Sequence, residues 1–448
     1  MSLLTEEDIV IESLGQPKIN SPVRCINLQG EEIGRFPCRN FVTEDDRVVV
    51  DNSQKYFLEC YEKGESPLSF EKAGPRQKIY FDPKKIKCAI VTAGGLCPGL
   101  NDVIRSIVLE LHYIYGVDNV IGIPYGYQGF IPEYGHPVID LTPERVSYIH
   151  ELGGTILSSS RGQYKIEEIV DALQQLNINI LFTIGGDGTL RGAQGIAEEI
   201  DKRGLITSVI GIPKTIDNDI SWVEKSFGFE TAVEDAAKVI RSAHVEAVGA
   251  PWGIGMVKLM GRYSGFIAAS AALASREVNF VLIPESDFDL DGPEGLLNAL
   301  EKRLEKRGHA VIVVAEGAGQ QYLANLPQTK DPSGNIRLKD IGIYLAERIQ
   351  QHFANSQKEI NLKYIDPSYI IRSQPANSND RIFCGFLGQH AVHAGMAGKT
   401  NMLISFWNNE YVHLPIRAAV AKRKQVDLGG NMWMSVLEST GQPSLKNN

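Results

Sequence analysis

The sequence predicts an α/β fold of two doubly wound, mostly parallel domains with an N-terminal extension. Apolar runs such as CAIVTA (88–93) and HAVIVVA (309–315) are continuous rather than alternating, as is typical of parallel strands buried on both faces. Amphipathic helical segments separate these runs, and glycine-rich turns follow several of them. Repeated strand, turn and helix units on this scale predict Rossmann-like domains.

Composition limits the class of protein. The chain has 448 residues, of which 43% are hydrophobic and 22% charged, and its net charge is −9. This acidic excess argues against nucleic-acid and anionic-membrane partners, so an anionic substrate needs a local basic cluster. The six cysteines form no CxxC pair and indicate reduced thiols. No apolar run reaches the roughly 20 residues of a membrane helix, and the acidic N-terminus argues against a signal peptide.

Residues 1–85 are rich in turn formers and charge, and they predict an extension that packs on the body. Further segments are assigned in chain order. Strands are predicted at CAIVTA, VIGIPYG, NILFTI, SVIGI, FVLIPES and HAVIVVAEG, and helices at NDVIRSIVLELHYIYG, TLRGAQGIAEEIDKRG, AVEDAAKVIRSAHVE and PEGLLNALEKRLEKRG. Ligands bind at the carboxyl ends of the strands in such sheets, so the turns that follow these strands are expected to line the binding site.

Two glycine turns are suited to phosphate. In TIGGDGT (183–189), glycines allow close backbone approach, and the next helix offers free N–H groups to an anion. Asp187 would repel a phosphate directly, but it suits a site in which a divalent metal lies between the carboxylate and the phosphate. The alternative is a tight turn in which Asp187 caps the helix. The turn TAGGLCPGLN (92–101) is weaker evidence, because glycine and proline occur in turns of every kind. Neither turn matches the Walker pattern.

The stretch PKTIDND (213–219) follows a predicted strand and contains two carboxylates and a lysine. Asp217 is a candidate base for a hydroxyl nucleophile, and Asp219 a candidate for the surroundings of the metal. The alternative is a solvated turn.

Several basic residues are candidate anion contacts because they stand among glycine and aromatic residues, although each alone is more often a solvated charge or part of a salt bridge: Arg161, Arg262, Lys363, Arg372 and Arg381. The run KRK (422–424) is interpreted as a solvated helix face.

These motifs together resemble the 6-phosphofructokinase family. TAGGLCPGLN, YGYQGF, GGTILSSSRG, GGDGT, PKTIDND, MGRYSG and YIIRSQPANSNDR occur in the family's order over about residues 86–400. The resemblance, closest to the plant, protist and bacterial branch, implies Mg²⁺-dependent phosphoryl transfer from ATP or pyrophosphate to the 1-hydroxyl of fructose 6-phosphate. It also implies a cytoplasmic, allosteric, homotetrameric enzyme of glycolysis.

The resemblance implies a donor domain over 86–230 with part of 371–405, and a sugar-phosphate domain over 231–370, with segment 406–448 packed on the body. It assigns roles to matching positions. Asp217 resembles the general base, Thr215 an orienting residue, and Arg161 the arginine that neutralises the transferred phosphoryl group. Asp187 and Asp219 resemble the metal site. The remaining donor positions are Gly94, Gly95, Tyr127, Gly186, Gly188, Thr189 and Lys214. The sugar-contacting positions are Thr215, Asp217, Met260, Gly261, Arg262, Glu316, Lys363, Tyr369 and Arg372.

The chain departs from the short bacterial enzymes at several positions. Tyr369 replaces their histidine, Lys363 replaces an arginine, and the arginine that reaches across from a neighbouring subunit is absent near Gly253. At their nucleotide effector site Arg105 persists, but Leu109 and Asn279 replace the other charged groups, so that regulation is not transferred.

Donor choice is the open point. By resemblance, pyrophosphate users carry Asp and Lys at the positions of Gly188 and Lys214, whereas short ATP enzymes carry Gly at both. Because only an aspartate at 188 would block the α-phosphate of a nucleotide, the expected donor is ATP, with pyrophosphate the alternative. A lipid or NAD kinase sharing GGDGT and a non-catalytic subunit of the same fold are the other hypotheses.

Overall fold

The structure is a computed structural model that describes residues 4–23, 25–26, 32–33, 41–325, 327, 329 and 337–447. It divides into two compact units. The first unit comprises residues 1–215, 220–228 and 375–422, and the second comprises 216–219, 229–374 and 423–448. The N-terminal segment 1–85 belongs to the first unit, and the C-terminal segment is divided after Lys422.

Strands and helices are numbered along the chain. Over the described residues the strands are β1 (Glu12–Ser13), β2 (Ile19–Asn20), β3 (Cys25–Ile26), β4 (Glu32–Ile33), β5 (Arg47–Val49), β6 (Ser69–Lys72), β7 (Lys78–Ile79), β8 (Cys88–Ala93), β9 (Val120–Ile123), β10 (Ile139–Asp140), β11 (Ile180–Gly185), β12 (Ser208–Pro213), β13 (Gly253–Leu259), β14 (Phe280–Leu282), β15 (His309–Ala315), β16 (Asn361–Ile365), β17 (Lys399–Thr400), β18 (Met402–Trp407) and β19 (Glu410–Pro415).

The α-helices over the same residues are α1 (Gln54–Lys63), α2 (Leu100–Leu109), α3 (Ile166–Gln175), α4 (Asp187–Lys202), α5 (Phe229–Val248), α6 (Phe266–Ser275), α7 (Leu296–Arg307), α8 (Ile341–Asn355), α9 (Ser368–Ile371), α10 (Ser378–Met396), α11 (Ile416–Val420) and α12 (Asn431–Thr440). A π-helix, Glu110–Tyr115, continues directly from α2.

The first unit is built on a nine-stranded sheet in the order β10-β9-β8-β11-β12-β18-β19-β6-β5. Its central strands β9, β8, β11, β12 and β18 are parallel, and antiparallel strands flank them at both edges. Side chains alternate along β11: Leu181 packs in the core with α3 and α4, whereas Ile180 lies on the opposite face, against α10. The sheet is therefore covered by helices on both faces, as predicted.

The second unit is built on a parallel sheet in the order β14-β15-β13-β16. One face packs against α7 and α8 through residues such as Met256 and Ile312. On the other face Gly255 allows a close approach of α5, because a Cβ there would lie 2.5 Å from the carbonyl oxygen of Ala243. The predicted class, two doubly wound α/β domains, is confirmed.

The N-terminal segment does more than pack on the body. β5 and β6 join the large sheet, where β6 pairs with β19.

Among the described residues, Cys60, Cys88, Cys97 and Cys384 are free thiols. None of the helices in the described part of the chain is long and apolar enough to cross a membrane.

Candidate active site

Two glycine turns of the first unit meet at the carboxyl end of its parallel strands. β8 leads into Gly94, and β11 leads into Gly186 and then α4. Gly94 has φ +90°, a conformation that glycine adopts without strain. A Cβ on Gly94 would lie 3.3 Å from Lys214 Nζ and 3.8 Å from Thr189 Oγ1. The structure thus brings both turns and the lysine of PKTIDND together, as the sequence predicted.

Lys214 is buried and bridges the two turns. Its ammonium donates to the carbonyl oxygen of Gly95 at 2.7 Å, and its backbone N–H donates to the carbonyl oxygen of Gly185 at 2.9 Å. The lysine therefore supplies positive charge beside the glycine turns.

Asp187 is the first residue of α4, so its carboxylate stands at the positive end of the helix dipole. Its oxygens lie 3.3 Å from Arg191, one turn along the same helix. Beside it, a Cβ built on Gly188 would have no heavy atom within 4 Å. A partly exposed carboxylate next to open space suits Mg²⁺, which commonly takes one or two carboxylates together with substrate phosphates. No group of three or more potential metal ligands occurs among the described residues.

Tyr127, a predicted donor-site residue, packs against α4. Its buried hydroxyl donates to the carbonyl oxygen of Thr189 at 2.7 Å, and its ring packs on Gly192. Burial raises the pKa of this hydroxyl above its usual range. Tyr127 therefore supports the first turn of the helix.

Arg161 is exposed and follows a segment that holds the first glycine turn. Ser159 Oγ donates to the carbonyl oxygen of Gly94 at 2.6 Å, and the N–H of Gly94 donates to the carbonyl oxygen of Ser160 at 3.2 Å. Arg161 therefore directly follows Ser160, a residue that bonds to the Gly94 turn, near the transferred phosphoryl group that the arginine is predicted to neutralise.

The PKTIDND segment passes from one unit to the other between Thr215 and Ile216. In the first unit, the carbonyl oxygen of Thr215 accepts from Ser226 Oγ at 2.7 Å. In the second unit, the carbonyl oxygen of Asp217 accepts from the buried Ser264 Oγ at 3.3 Å. Asn218 has φ +53°, which turns the backbone sharply between the two aspartates.

Asp219 is 8% exposed, and its Oδ2 accepts from Arg423 Nη1 at 2.9 Å. The guanidinium of Arg423 also lies 4.3 Å from the centre of the Tyr263 ring, in MGRYSG. Lys424 donates its N–H to the carbonyl oxygen of Asp219 and places its ammonium 5.2 Å from the Phe266 ring centre.

The interpretation of KRK as a solvated helix face is wrong. α11 ends at Val420, before this run, and the next residues cross to the 216–219 loop. Arg423 is a residue that sequence reasoning missed, because nothing in a basic tripeptide reveals which remote carboxylate it pairs with.

Several of the predicted sugar-contacting positions, Met260, Gly261, Arg262 and Glu316, lie just after β13 and β15 in the second unit. Glu316 follows β15, and its N–H donates to the carbonyl oxygen of Leu259 at 2.9 Å. Gly317 must be glycine, since a Cβ would lie 2.0 Å from the carbonyl oxygen of Arg262. Met260, Gly261 and Arg262 thus lie against the 316–317 turn. Burial raises the pKa of Glu316, while Arg262 and Arg372 act to lower it.

Arg372 follows α9, and its guanidinium lies 4.7 Å from the ring centre of Tyr369, which is 74% exposed. The tyrosine therefore positions the arginine through a cation–π contact. Lys363 is separate: it lies in the middle of the edge strand β16, three residues before its carboxyl-terminal turn. Arg381, another candidate anion contact, forms an ion pair with Glu151 at 2.8 Å.

Comparison with known proteins identifies the family. Residues 87–395 match the family described as Phosphofructokinase. The chain is 53% identical over 98% of both chains to the ATP-dependent 6-phosphofructokinase of Borreliella burgdorferi, and 46% identical to that of Amycolatopsis methanolica over 98% of this chain and 95% of the other. The chain belongs to the phosphofructokinase family.

Solved phosphofructokinases share the fold. The pyrophosphate-dependent phosphofructokinase of Marinobacter aquaeolei matches with a TM-score of 0.65 at 18% identity, over 81% of this chain and 92% of that chain. The Pichia pastoris enzyme matches with a TM-score of 0.61 at 20% identity, over 81% of this chain and 38% of that one. A plant relative, ATP-dependent 6-phosphofructokinase 7 of Arabidopsis thaliana, is 48% identical over 89% of this chain and 82% of its own length.

Proposed function

We propose that this chain transfers the γ-phosphoryl group of ATP to the 1-hydroxyl of fructose 6-phosphate, giving fructose 1,6-bisphosphate and ADP in glycolysis. The observation that carries the proposal is the 53% identity, over 98% of both chains, to a relative named ATP-dependent 6-phosphofructokinase. The clusters of predicted site residues within each unit support it.

The first unit supplies the donor-phosphate groups. The backbone of Gly95 and the N-terminus of α4 offer N–H groups to phosphate oxygens, Gly94 lines the same space, and Lys214 adds positive charge beside them. Gly186, Gly188 and Thr189 line the same turn, and Arg161 neutralises charge on the transferred group. Asp187 would hold Mg²⁺, which would offset phosphate charge when bound.

The second unit supplies the acceptor groups. Arg372 binds the 6-phosphate, with Tyr369 behind it, whereas Lys363 lies apart in the middle of β16 and is assigned no direct contact. Arg262 and Glu316 fix the sugar hydroxyls, together with Met260 and Gly261. These contacts hold the sugar so that a base can act on one hydroxyl.

Asp217 takes the proton of the 1-hydroxyl as that oxygen attacks phosphorus, and Thr215 orients the segment. Asp219, bonded to Arg423, helps to hold the 216–219 loop, and the metal is assigned first to Asp187, whose carboxylate is the more exposed of the two. A base and an arginine-bound neighbour two residues apart explain the charge concentrated in PKTIDND.

ATP is favoured over pyrophosphate by the open space at Gly188. That space accommodates the α-phosphate and nucleoside of ATP, whereas an aspartate there would add volume and negative charge. Lys214 turns toward Gly95 and leaves that space open. The oligomeric state, a homotetramer, and the cytoplasmic location rest on the family resemblance.

The proposed acceptor is tested by product analysis. The purified chain with ATP and Mg²⁺ should form fructose 1,6-bisphosphate, and should leave diacylglycerol and NAD unphosphorylated. Phosphorylation of NAD or a lipid without turnover of fructose 6-phosphate would contradict the proposal. Binding of fructose 6-phosphate without product would favour a non-catalytic subunit instead.

A further inference from the structure

Lys258 is a buried lysine at the carboxyl end of β13, two residues before Met260. It is 8% exposed, and its Nζ lies 2.6 Å from Asp340 Oδ2 and 2.8 Å from Asp366 Oδ2. Val257 pairs with Ile365 across β13 and β16, so Lys258 and Asp366 occur at the same level where the strands end. One ammonium therefore forms ion pairs with two carboxylates.

Both carboxylates also hold the backbone of neighbouring elements. Asp366 Oδ1 accepts from the N–H and hydroxyl of Ser368, at the start of α9. Asp340 Oδ1 accepts from the N–H of Ile343, which caps α8, and from Tyr364 OH. Each carboxylate thus bonds Lys258 with one oxygen and a helix N-terminus with the other, so neither is free to move away if the lysine is removed.

The charges of Lys258, Asp340 and Asp366 shift one another's pKa values. Burial opposes the charged form of Lys258, but its bonds to Asp340 and Asp366 outweigh burial and raise its pKa. The same bonds lower the pKa of both aspartates despite burial. Lys258 and Asp366 also act on Glu316, the former lowering and the latter raising its pKa. The bridge is therefore in electrostatic contact with the sugar-contacting positions.

We propose that Lys258 is a positioning residue for sugar-phosphate binding: it offsets one of the two negative charges of Asp340 and Asp366, which would otherwise repel the 6-phosphate near Arg372 more strongly. Lys258 does not touch the sugar in this scheme. The inference rests on the proposed function, because it deepens the assignment of the second unit to the acceptor.

The first test replaces Lys258 with methionine, which keeps the length of the side chain. The bridge changes from net −1 to net −2, so we expect the KM for fructose 6-phosphate to rise about tenfold, the effect of one unbalanced charge in partly buried surroundings. The KM for ATP and kcat should change less than threefold. Added salt should lower the raised KM, since it screens the repulsion. An unchanged KM, or an equal rise for ATP, would overturn the inference.

The second test restores the charge. Lys258→Met/Asp340→Asn again has net −1, and asparagine keeps the helix cap. Its KM for fructose 6-phosphate should return to within about threefold of wild type. If the double variant kept the high KM of Lys258→Met, the lysine would act only through packing. Lys302→Met, on the exposed side of α7 in the same unit, is the matched control and should leave every constant unchanged.

Asp340→Asn alone covers the case in which Lys258→Met does not fold. It changes the bridge from net −1 to neutral, so the KM for fructose 6-phosphate should fall, and a rise would overturn the inference. Calorimetric binding of fructose 6-phosphate without ATP should follow the same order of variants. Failure of the proposed function can be distinguished from failure of this inference, because in the former case the wild type itself would neither bind nor turn over fructose 6-phosphate.

Discussion

Asp217 and Asp219 are two residues apart but differ in what surrounds them. Asp219 is buried and paired with Arg423, whereas Asp217 is held through its backbone by Ser264. These surroundings could not be read from the sequence, and the assignment of Asp217 as the base rests on the family resemblance.

Replacing Asp217 with asparagine should remove the base and keep the shape of the loop. We expect kcat to fall by roughly 10²–10⁴, the usual effect of losing a general base, with little change in the KM for fructose 6-phosphate. Steady-state kinetics measures both. Asp201→Asn, on the exposed side of α4, serves as the control, and near wild-type kcat in Asp217→Asn would refute the assignment.

Replacing Arg372 with alanine should weaken sugar-phosphate binding. A charge-assisted hydrogen bond contributes about 1.5–3 kcal/mol, so the KM for fructose 6-phosphate should rise roughly tenfold to a hundredfold. The KM for ATP should move less, and Arg307→Ala, at the exposed end of α7, should alter neither. A selective rise in the KM for ATP would place Arg372 with the donor instead.

At the level of elements, the buried strands could be predicted closely from the sequence. CAIVTA and SVIGIP correspond to β8 and β12, because continuous apolar runs that end in glycine or proline admit few other structures. The pairing of β6 with β19 could not be predicted, since it joins residues more than 300 positions apart. The double ion pair of Lys258 was missed for the same reason: its partners come from other elements.

The π-helix Glu110–Tyr115 was also missed, because its sequence continues the helical pattern of α2. It begins with a buried glutamate that lies 3.7 Å from His393 Nε2. Burial raises the pKa of Glu110 to about 7 and lowers that of His393 to about 3, so both groups are neutral in moderately acidic conditions. Burying this glutamate therefore costs stability once the unfolded chain ionises.

Glu110→Gln should remove this cost. In the unfolded chain the glutamate ionises near pH 4.5 and in the folded chain near 7, so its contribution to the free energy of unfolding falls as pH rises through that window. Relative to wild type, the variant should gain up to about 3 kcal/mol between pH 4.5 and 7, at 1.36 kcal/mol per pKa unit. Denaturant unfolding of both proteins at each pH measures the difference in the free energy of unfolding. Because the histidines are common to both proteins, their pH-dependent contributions cancel when the wild-type value is subtracted. A difference independent of pH would contradict the shifted pKa.

At the scale of the whole molecule, each unit has its own sheet, core and set of predicted site residues, and the chain crosses between the units inside PKTIDND. The donor positions lie in the first unit and most sugar-contacting positions in the second. This division follows from the order of the motifs along the chain, so the sequence could predict which candidate residues share a unit.

The predicted homotetramer can be tested directly. Light scattering on the purified protein at assay concentration should give a mass close to four times 49.4 kDa. The arginine expected to reach across from a neighbouring subunit is absent near Gly253, so assembly is not expected to supply that group. A fully active monomer would refute the prediction.

Gly188 determines the donor in this account. Gly188→Asp should abolish turnover with ATP, because the new carboxylate fills the open space and repels the α-phosphate. Gly385→Asp, at another glycine with no heavy atom within 4 Å of a built Cβ, controls for the effect of an added aspartate on folding. Retained ATP activity in Gly188→Asp would show that this position does not select the donor.

The most direct test is the activity of the wild-type protein with each donor, at fixed Mg²⁺ and fructose 6-phosphate. The account predicts robust formation of fructose 1,6-bisphosphate with ATP and little or none with pyrophosphate. Turnover with pyrophosphate and none with ATP would contradict it, and would make Lys214 rather than Gly188 the residue that decides the donor.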